Sequence, residues 1–447
     1  MIRFGAAVSM LERHASRFTV EALETLLPGR VVGAILAGCG RVGRRRRDLP
    51  AELVVWLLIT AGLWRAQGLR NVLASLGRGV CRPLGWMAPG TGRVPTSAAI
   101  TRARRRMGLK PLRRLARWLC RGWWERPELA RWRGLPLVAI DGTRLRMPDT
   151  PENRAHFGSH RCRGRSSTAF PFTHVVVAMC ALTHVVLAFT VGPGQAHESL
   201  LCLRLLRQLP ERTLLLLDRG FFSYALLLDV LAQGHDFVAR AQKGIRYRRV
   251  RRLGRHDHVV RITRHRAACR TRPDLATCFE LRLVTYRRKG FRTVTLLTSL
   301  LDAQAYPAEE IVARYRERWE VELGFDELKT HLLAEHVPLR SKSPALVRQE
   351  IDALVIAYNA VRIHMAQAAH AAGIDARRLS FTDALERLRD VARCMAVKQA
   401  RLLPELFRAF LRDLGRCLLP PRRPRTNPRA VKALPCYYPI RRRARVA

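Results

Sequence analysis

Two short apolar runs, each closing on an aspartate, constrain this chain most. Leu137-Val138-Ala139-Ile140 runs straight into Asp141-Gly142, and Thr213-Leu214-Leu215-Leu216-Leu217 into Asp218-Arg219-Gly220. Continuous apolar stretches this short, bounded by turn residues, read as buried strands. Thr173–Ala181, Val185–Val191, Asp236–Arg240 and Phe291–Leu300 extend the pattern, with helical segments at Glu198–Leu209 and Ser223–Leu231 between them. The alternation predicts an α/β layer arrangement that begins at Pro136.

The flanks differ. Residues 18 to about 130 read as helical, with Pro50 at one helix start, Pro95-Thr96-Ser97 capping another that Gly108 stops, and a basic helix from Pro111 to Trp123. Trp56, Trp64, Trp123 and Trp124 read as core residues. Residues 244–290 are polar and very basic, with alternating segments at Val259–Thr263 and Phe279–Tyr286, and read as a β-rich insertion. From Pro307 to about Leu411 the chain is helical again, and a Pro- and Arg-rich tail follows from Leu419. This predicts a helical domain over 1–132, an α/β domain over 133–372, and C-terminal helices with a basic tail over 373–447.

Lys and Arg number 81 against 35 Asp and Glu, a formal charge of +46. Such a body repels itself unless it meets a polyanion, and nucleic acid is the expected partner. A generally arginine-rich composition explains scattered arginines but not blocks such as Arg44-Arg45-Arg46-Arg47 or Arg246–Arg255. The 11 cysteines form no C-x-x-C pair, which argues against a disulfide framework and a zinc module and fits a reducing cytosol. His256 and His258 flank Asp257 but lack a thiolate or third histidine at ligand spacing. His174 and His184 sit in strand-like runs and read as core residues. The first residues lack a signal-peptide pattern, and the apolar run Leu53–Leu63 is too short to span a bilayer.

Ligands in open α/β sheets gather at strand C-termini, which makes Asp141 and Asp218 candidate metal ligands. A single strand-end aspartate equally well caps a turn. The helix near residue 320 adds more. Tyr315, Arg318, Glu322 and Lys329 lie at offsets of 3, 7 and 14 residues. On a regular α-helix these four fall within roughly 60° of arc. One face then offers a carboxylate for a metal beside groups that suit phosphate oxygens. Asp326 lies near the same arc and competes with Glu322, and an ordinary solvated face with an Arg318–Glu322 pair explains the pattern too.

Tyr315-x2-Arg318-x3-Glu322-x6-Lys329 resembles the tyrosine–arginine–glutamate–lysine signature of insertion-element-four transposases, members of the DDE class with a ribonuclease-H-like core. Asp141-Gly142-Thr143 and Asp218-Arg219-Gly220-Phe221 match the contexts of that family's two aspartates. The resemblance extends to Arg45–Leu53, to Pro95–Ile100, and to Leu339–Pro344 with Gln349-Glu350. It implies a ribonuclease-H-like catalytic domain with a β insertion, preceded by a DNA-binding helical domain. It implies two Mg²⁺ ions, with Mn²⁺ as a substitute, held by Asp141, Asp218 and Glu322, and phosphate contacts from Tyr315, Arg318 and Lys329. The implied chemistry is hydrolysis of a strand at an element end, then attack of the 3′-hydroxyl on target DNA, by a dimer pairing two ends. The rivals are a nuclease that cuts without joining and a non-catalytic repressor of element ends. One departure stands out: no Trp lies between Trp132 and Trp319, where some family members stack one on a flipped base. Tyr247, Phe279, Tyr286 and Phe291 are the aromatic alternatives.

Overall fold

The computed structural model describes residues 21–42, 49–80, 94–129, 131–159, 170–242, 244–264, 266–288, 291–333, 337–395 and 402–421. The arginine block at 44–47, the start of the 45–53 segment and the tail beyond residue 421 lie outside the described residues.

Along the chain come α1 (Glu21–Glu24), α2 (Gly29–Ala37), α3 (Ala51–Leu63), α4 (Leu69–Val80), α5 (Ser97–Met107) and α6 (Lys110–Gly122). Then follow β1 (Arg131–Trp132), β2 (Leu135–Arg146), α7 (Pro151–Phe157), β3 (Phe172–Cys180), β4 (Val186–Pro193) and α8 (Glu198–Leu206). Next are β5 (Leu214–Leu217), α9 (Tyr224–Ala232), β6 (Asp236–Arg240), β7 (Arg248–Gly254), β8 (Asp257–Thr263) and α10 (Arg266–Thr271). After β9 (Cys278–Tyr286) and β10 (Val294–Thr298) the chain is mainly helical: α11 (Ala308–Arg316), α12 (Glu320–Asp326), α13 (Pro344–Ala372), α14 (Phe381–Met395) and α15 (Leu403–Leu414). No helix among the described residues is long and apolar enough to cross a membrane. The cysteines that the structure describes are all free.

Two compact units form, one drawn from Met1–Trp123 and Asp326–Pro420, the other centred on Trp124–Phe325. In the first, α3 reads AELVVWLLITAGL and buries eleven of its thirteen residues, because a helix apolar on every side can only sit inside. It packs along α13, which also contacts α6. Residues 326–372, grouped by sequence with the catalytic segment, therefore share a core with the N-terminal helices. Polar groups fix the packing. Arg65 donates to Glu350 at 2.6 Å, and Glu350 also accepts from the Ser341 hydroxyl and the Arg340 amide. Gln349 donates to the Arg104 and Gly108 carbonyls that end α5. Trp56, Trp64 and Trp123 are buried here, and Trp124 in the other unit.

The second unit is mixed α/β around one large sheet in the order β4-β3-β2-β5-β6-β10-β9-β8-β7, with β1 on β2. Strand β3 is antiparallel to β2 and β4, whereas β2, β5 and β6 run parallel. All nine residues of β3 and all four leucines of β5 are buried. Leucine favours helices intrinsically, so β5 is a strand because β2 and β6 bond it on both edges. Residues 244–290 supply three strands, one more than their alternating segments predict, and these continue the same sheet through β10. Arg282, fully buried, forks onto Asp257 and reaches the carbonyls of Leu300, Asp302 and Tyr306. Asp257 is thus committed to an ion pair beside His256 and His258. Strand β7, RRVRRLG, is the exposed edge. A row of arginines there guards an open edge against pairing with another chain.

Candidate active site

Asp141 and Asp218 follow a register pair. Ile140 opposes Leu217 across the parallel β2–β5 ladder, so the next residue on each strand is one of the two aspartates. Adjacent strands put their backbones roughly 5 Å apart. Each aspartate turns back on its own loop: Asp141 Oδ1 accepts from the Gly142 amide at 2.8 Å, and Asp218 Oδ1 from the Arg219 amide at 2.6 Å. The reading of both as simple turn caps is therefore satisfied, and it occupies one oxygen of each.

The helical stretch from Ala308 brings the other groups. Tyr315 is buried at the end of α11, and its hydroxyl reaches the carbonyl of Leu217 at 3.5 Å, bracing the strand end that carries Asp218. Burial pushes the phenol up to about 12. Arg318 lies in a 3-10 turn, Glu317–Trp319, and donates to Glu322 Oε1 at 3.1 Å. Its Nη1 is buried with no hydrogen-bond partner. Burial works against its charge, but Asp218, Tyr315 and Glu322 outweigh that and hold the guanidinium above its usual range. Arg318 also pulls Asp141 down, so one cation is electrostatically linked to all three carboxylates. Even so, burial dominates at Asp141, and with Glu198 and Glu322 nearby its carboxyl is raised to about 6.

The wheel geometry is altered. The predicted 60° arc requires an unbroken α-helix. Here the 3-10 turn tightens the path before Glu322 and a π turn, Glu327–Leu332, widens it before Lys329. Glu327, the first residue of the π turn, is held by the Tyr358 hydroxyl and by Arg362. Lys329 falls within the helical unit, whose boundary lies after Phe325, and is half-buried there. Asp326, the competitor of Glu322, is exposed and accepts from Thr330 at 2.8 Å.

Sequence reading missed Glu198 as part of this neighbourhood. It heads α8, and its Oε1 lies 3.0 Å from Nε2 of His174 on β3. That bond chiefly holds the Glu198 carboxyl below its usual range. His184, the other strand histidine, bonds Glu320 at 2.9 Å and ties the β3–β4 turn to α12. Both histidines are thus satisfied core residues. No spacing in the sequence signals either pair. Of the insertion aromatics, Phe279 stands edge-on to Tyr224, Tyr286 lies under Arg316 and Phe291 under Arg288, whereas Tyr247 is exposed.

Among the described residues no group of three or more His, Cys, Asp or Glu already converges closely enough to hold an ion. The donor chemistry nonetheless fits a hard divalent cation. Asp141, Asp218 and Glu322 are carboxylates, Asp141 is destabilised as an anion, and a buried guanidinium supplies the local positive charge.

A family model described as a transposase DDE domain matches residues 132–360, and one described as the insertion element 4 transposase N-terminal region matches residues 17–117. The chain belongs to the insertion-element-four family of DDE transposases, enzymes that cleave DNA. It is 32% identical over 443 residues to the transposase InsG for insertion sequence element IS4 of Escherichia coli K12, covering 98% of both chains. It is 31% identical over 194 residues to the putative transposase InsZ of the same organism, covering 42% of this chain and 60% of that one. A solved piggyBac transposase synaptic complex with hairpin DNA matches at 12% identity and a TM-score of 0.43, over 91% of this chain and 86% of that one. Transposases of the DDE family generally use divalent metal ions.

Proposed function

We propose that Asp141, Asp218 and Glu322 hold two Mg²⁺ ions against a DNA phosphodiester. In this reading the enzyme hydrolyses a strand at an element end and joins the freed 3′-hydroxyl to target DNA. One observation carries it: the two aspartates are the next register positions on adjacent parallel strands, and Arg318, paired with Glu322, is electrostatically linked to both. The β4-β3-β2-β5-β6 order, antiparallel up to β2 and parallel thereafter, supports a ribonuclease-H-like core.

Held by these carboxylates, the ions (Mn²⁺ as a substitute) would supply Lewis acidity for phosphodiester cleavage. The protein does the rest. Nη1 of Arg318, buried and lacking a bond partner, is the donor for a phosphate oxygen. Tyr315 holds the end of β5 in place and faces the phosphate, and Lys329 adds a further cation. Residues 1–132 bind element DNA, residues 133–372 carry the chemistry, and residues 373–447 contribute C-terminal helices and a basic tail. A cationic cleft in the helical unit, lined by Arg104, Arg105, Arg340 and Lys342, supports a DNA contact there. Two copies pair two ends.

The test is a cleavage and strand-transfer assay on element-end DNA in Mg²⁺. Asp141→Asn, Asp218→Asn and Glu322→Gln should each lose on the order of a hundredfold or more in rate while DNA binding persists. Full strand transfer by any of the three sinks its assignment. Cleavage by the natural chain without joining identifies a nuclease instead.

A further inference from the structure

Glu198 does something that the reading above leaves unused. A side chain built on Gly142 would sit 2.8 Å from Glu198 Oε1 and 2.8 Å from His174 Nε2, so the carboxylate lies directly against the Asp141 turn. A side chain built on Gly220 would meet the other oxygen, Oε2, at 3.7 Å. These glycines follow Asp141 by one residue and Asp218 by two. One carboxylate thus stands beside both aspartate-bearing turns, an oxygen toward each.

The carboxylate is also fixed in place. Its charge adds to the repulsion at Asp141, and with the side chain 35% exposed it has solvent to turn toward. His174 prevents this. The ring is 3% exposed, and its Nδ1 lies 3.0 Å from the Ala196 carbonyl. The ring is then fixed in angle, and Nε2 grips Oε1 at 3.0 Å. The bond to His174 favours the Glu198 charge, yet that same charge raises the neighbouring Asp141 carboxyl, so the fold keeps an anion beside the aspartate that it disfavours, which points to function.

We propose that Glu198, locked by His174, is a positioning residue that spans the two turns and fixes the geometry in which Asp141 and Asp218 take up metal. This rests on the assignment of those aspartates as ligands. Partners of metal ligands typically change metal affinity or activity by roughly 10- to 100-fold when removed.

The test measures Mn²⁺ binding to the DNA-free full-length chain by calorimetry, with melting temperature and single-turnover cleavage alongside. Glu198→Ala should weaken Mn²⁺ binding roughly tenfold or more, with cleavage falling in step and melting unchanged. Glu198→Gln keeps the reach to both turns and to His174 and should restore binding to within about threefold of the natural chain. Glu198→Asp keeps the charge but withdraws it by a methylene, and should stay impaired. Unchanged Mn²⁺ affinity in Glu198→Ala overturns the proposal. So does a folded Glu198→Gln as weak as the alanine variant, because charge rather than reach then matters. If Glu198→Ala fails to fold, the order of the Gln and Asp variants decides alone, and Asp equal to or better than Gln overturns it. Asp141→Asn runs in parallel: if it too keeps Mn²⁺ binding, the ligand assignment has failed and not the role of Glu198.

Discussion

Burial first, then the nearby Glu198 and Glu322, push the Asp141 carboxyl up to about 6, although Arg318 and the Gly142 amide pull the other way. The consequence for stability has a definite sign. Below about pH 4 the group is neutral in both the folded and unfolded chains and costs nothing. Between pH 4 and 6 the unfolded chain ionises while the folded one keeps its proton, so stability falls as pH rises. Above pH 6 the folded chain carries the buried charge, at a cost of roughly 2–3 kcal/mol. Metal-free Asp141→Asn should therefore be more stable than the natural chain at pH 8 by up to that amount and no more stable at pH 4. Denaturant titration at the two values checks it, and an equal gain at both would locate the effect elsewhere. A site that costs stability when empty is the expected counterpart of one built to hold cations.

At the scale of elements, β2, β5 and β6 were legible because they are buried on both sides and their apolar runs end on turn residues. Strand β7 was not: RRVRRLG alternates nothing, and only hydrogen bonds from β8 make it a strand. The helical face was half legible. Tyr315, Arg318 and Glu322 lie on one mostly helical stretch, but a wheel knows nothing of a 3-10 turn or of a π turn whose first residue, Glu327, is held by Tyr358 and Arg362, residues far along the chain. Glu198–His174 and Glu320–His184 stayed invisible because they join positions 24 and 136 residues apart through tertiary packing alone. The second pair makes its own prediction. His184 and Glu320 are nearly inaccessible, and their bond fixes α12, the helix that carries Glu322. Glu320→Ala removes the carboxylate and should cost about 1–3 kcal/mol, with a loss of cleavage. Glu320→Gln, which can still bond the ring, should recover most of both, as thermal melting and the cleavage assay would show; a Gln variant as unstable as Ala would mean the side-chain bond is not what holds the helix.

For the molecule as a whole, a charge of +46 is its largest physical commitment, and it predicts how DNA binding responds to salt. Each phosphate neutralised contributes about −0.9 to the slope of log affinity against log salt, and six to ten contacts cost roughly 10³–10⁵ in affinity between 50 and 200 mM. The slope for this chain should be at least as steep as about −5. Its origin can be apportioned. Arg248, Arg249, Arg251 and Arg252 lie exposed on β7, the edge of the sheet whose centre carries Asp141 and Asp218. Replacing the four by Ala should flatten the slope by up to about 3–4 while leaving single-turnover cleavage of fully bound DNA intact. An unchanged slope would mean that this edge never meets DNA and that its arginines serve only to keep an open strand from pairing. A flattened slope with slowed cleavage would mean instead that β7 helps deliver the scissile phosphate, because counterion release alone sets how much DNA is bound and not how fast bound DNA is cut.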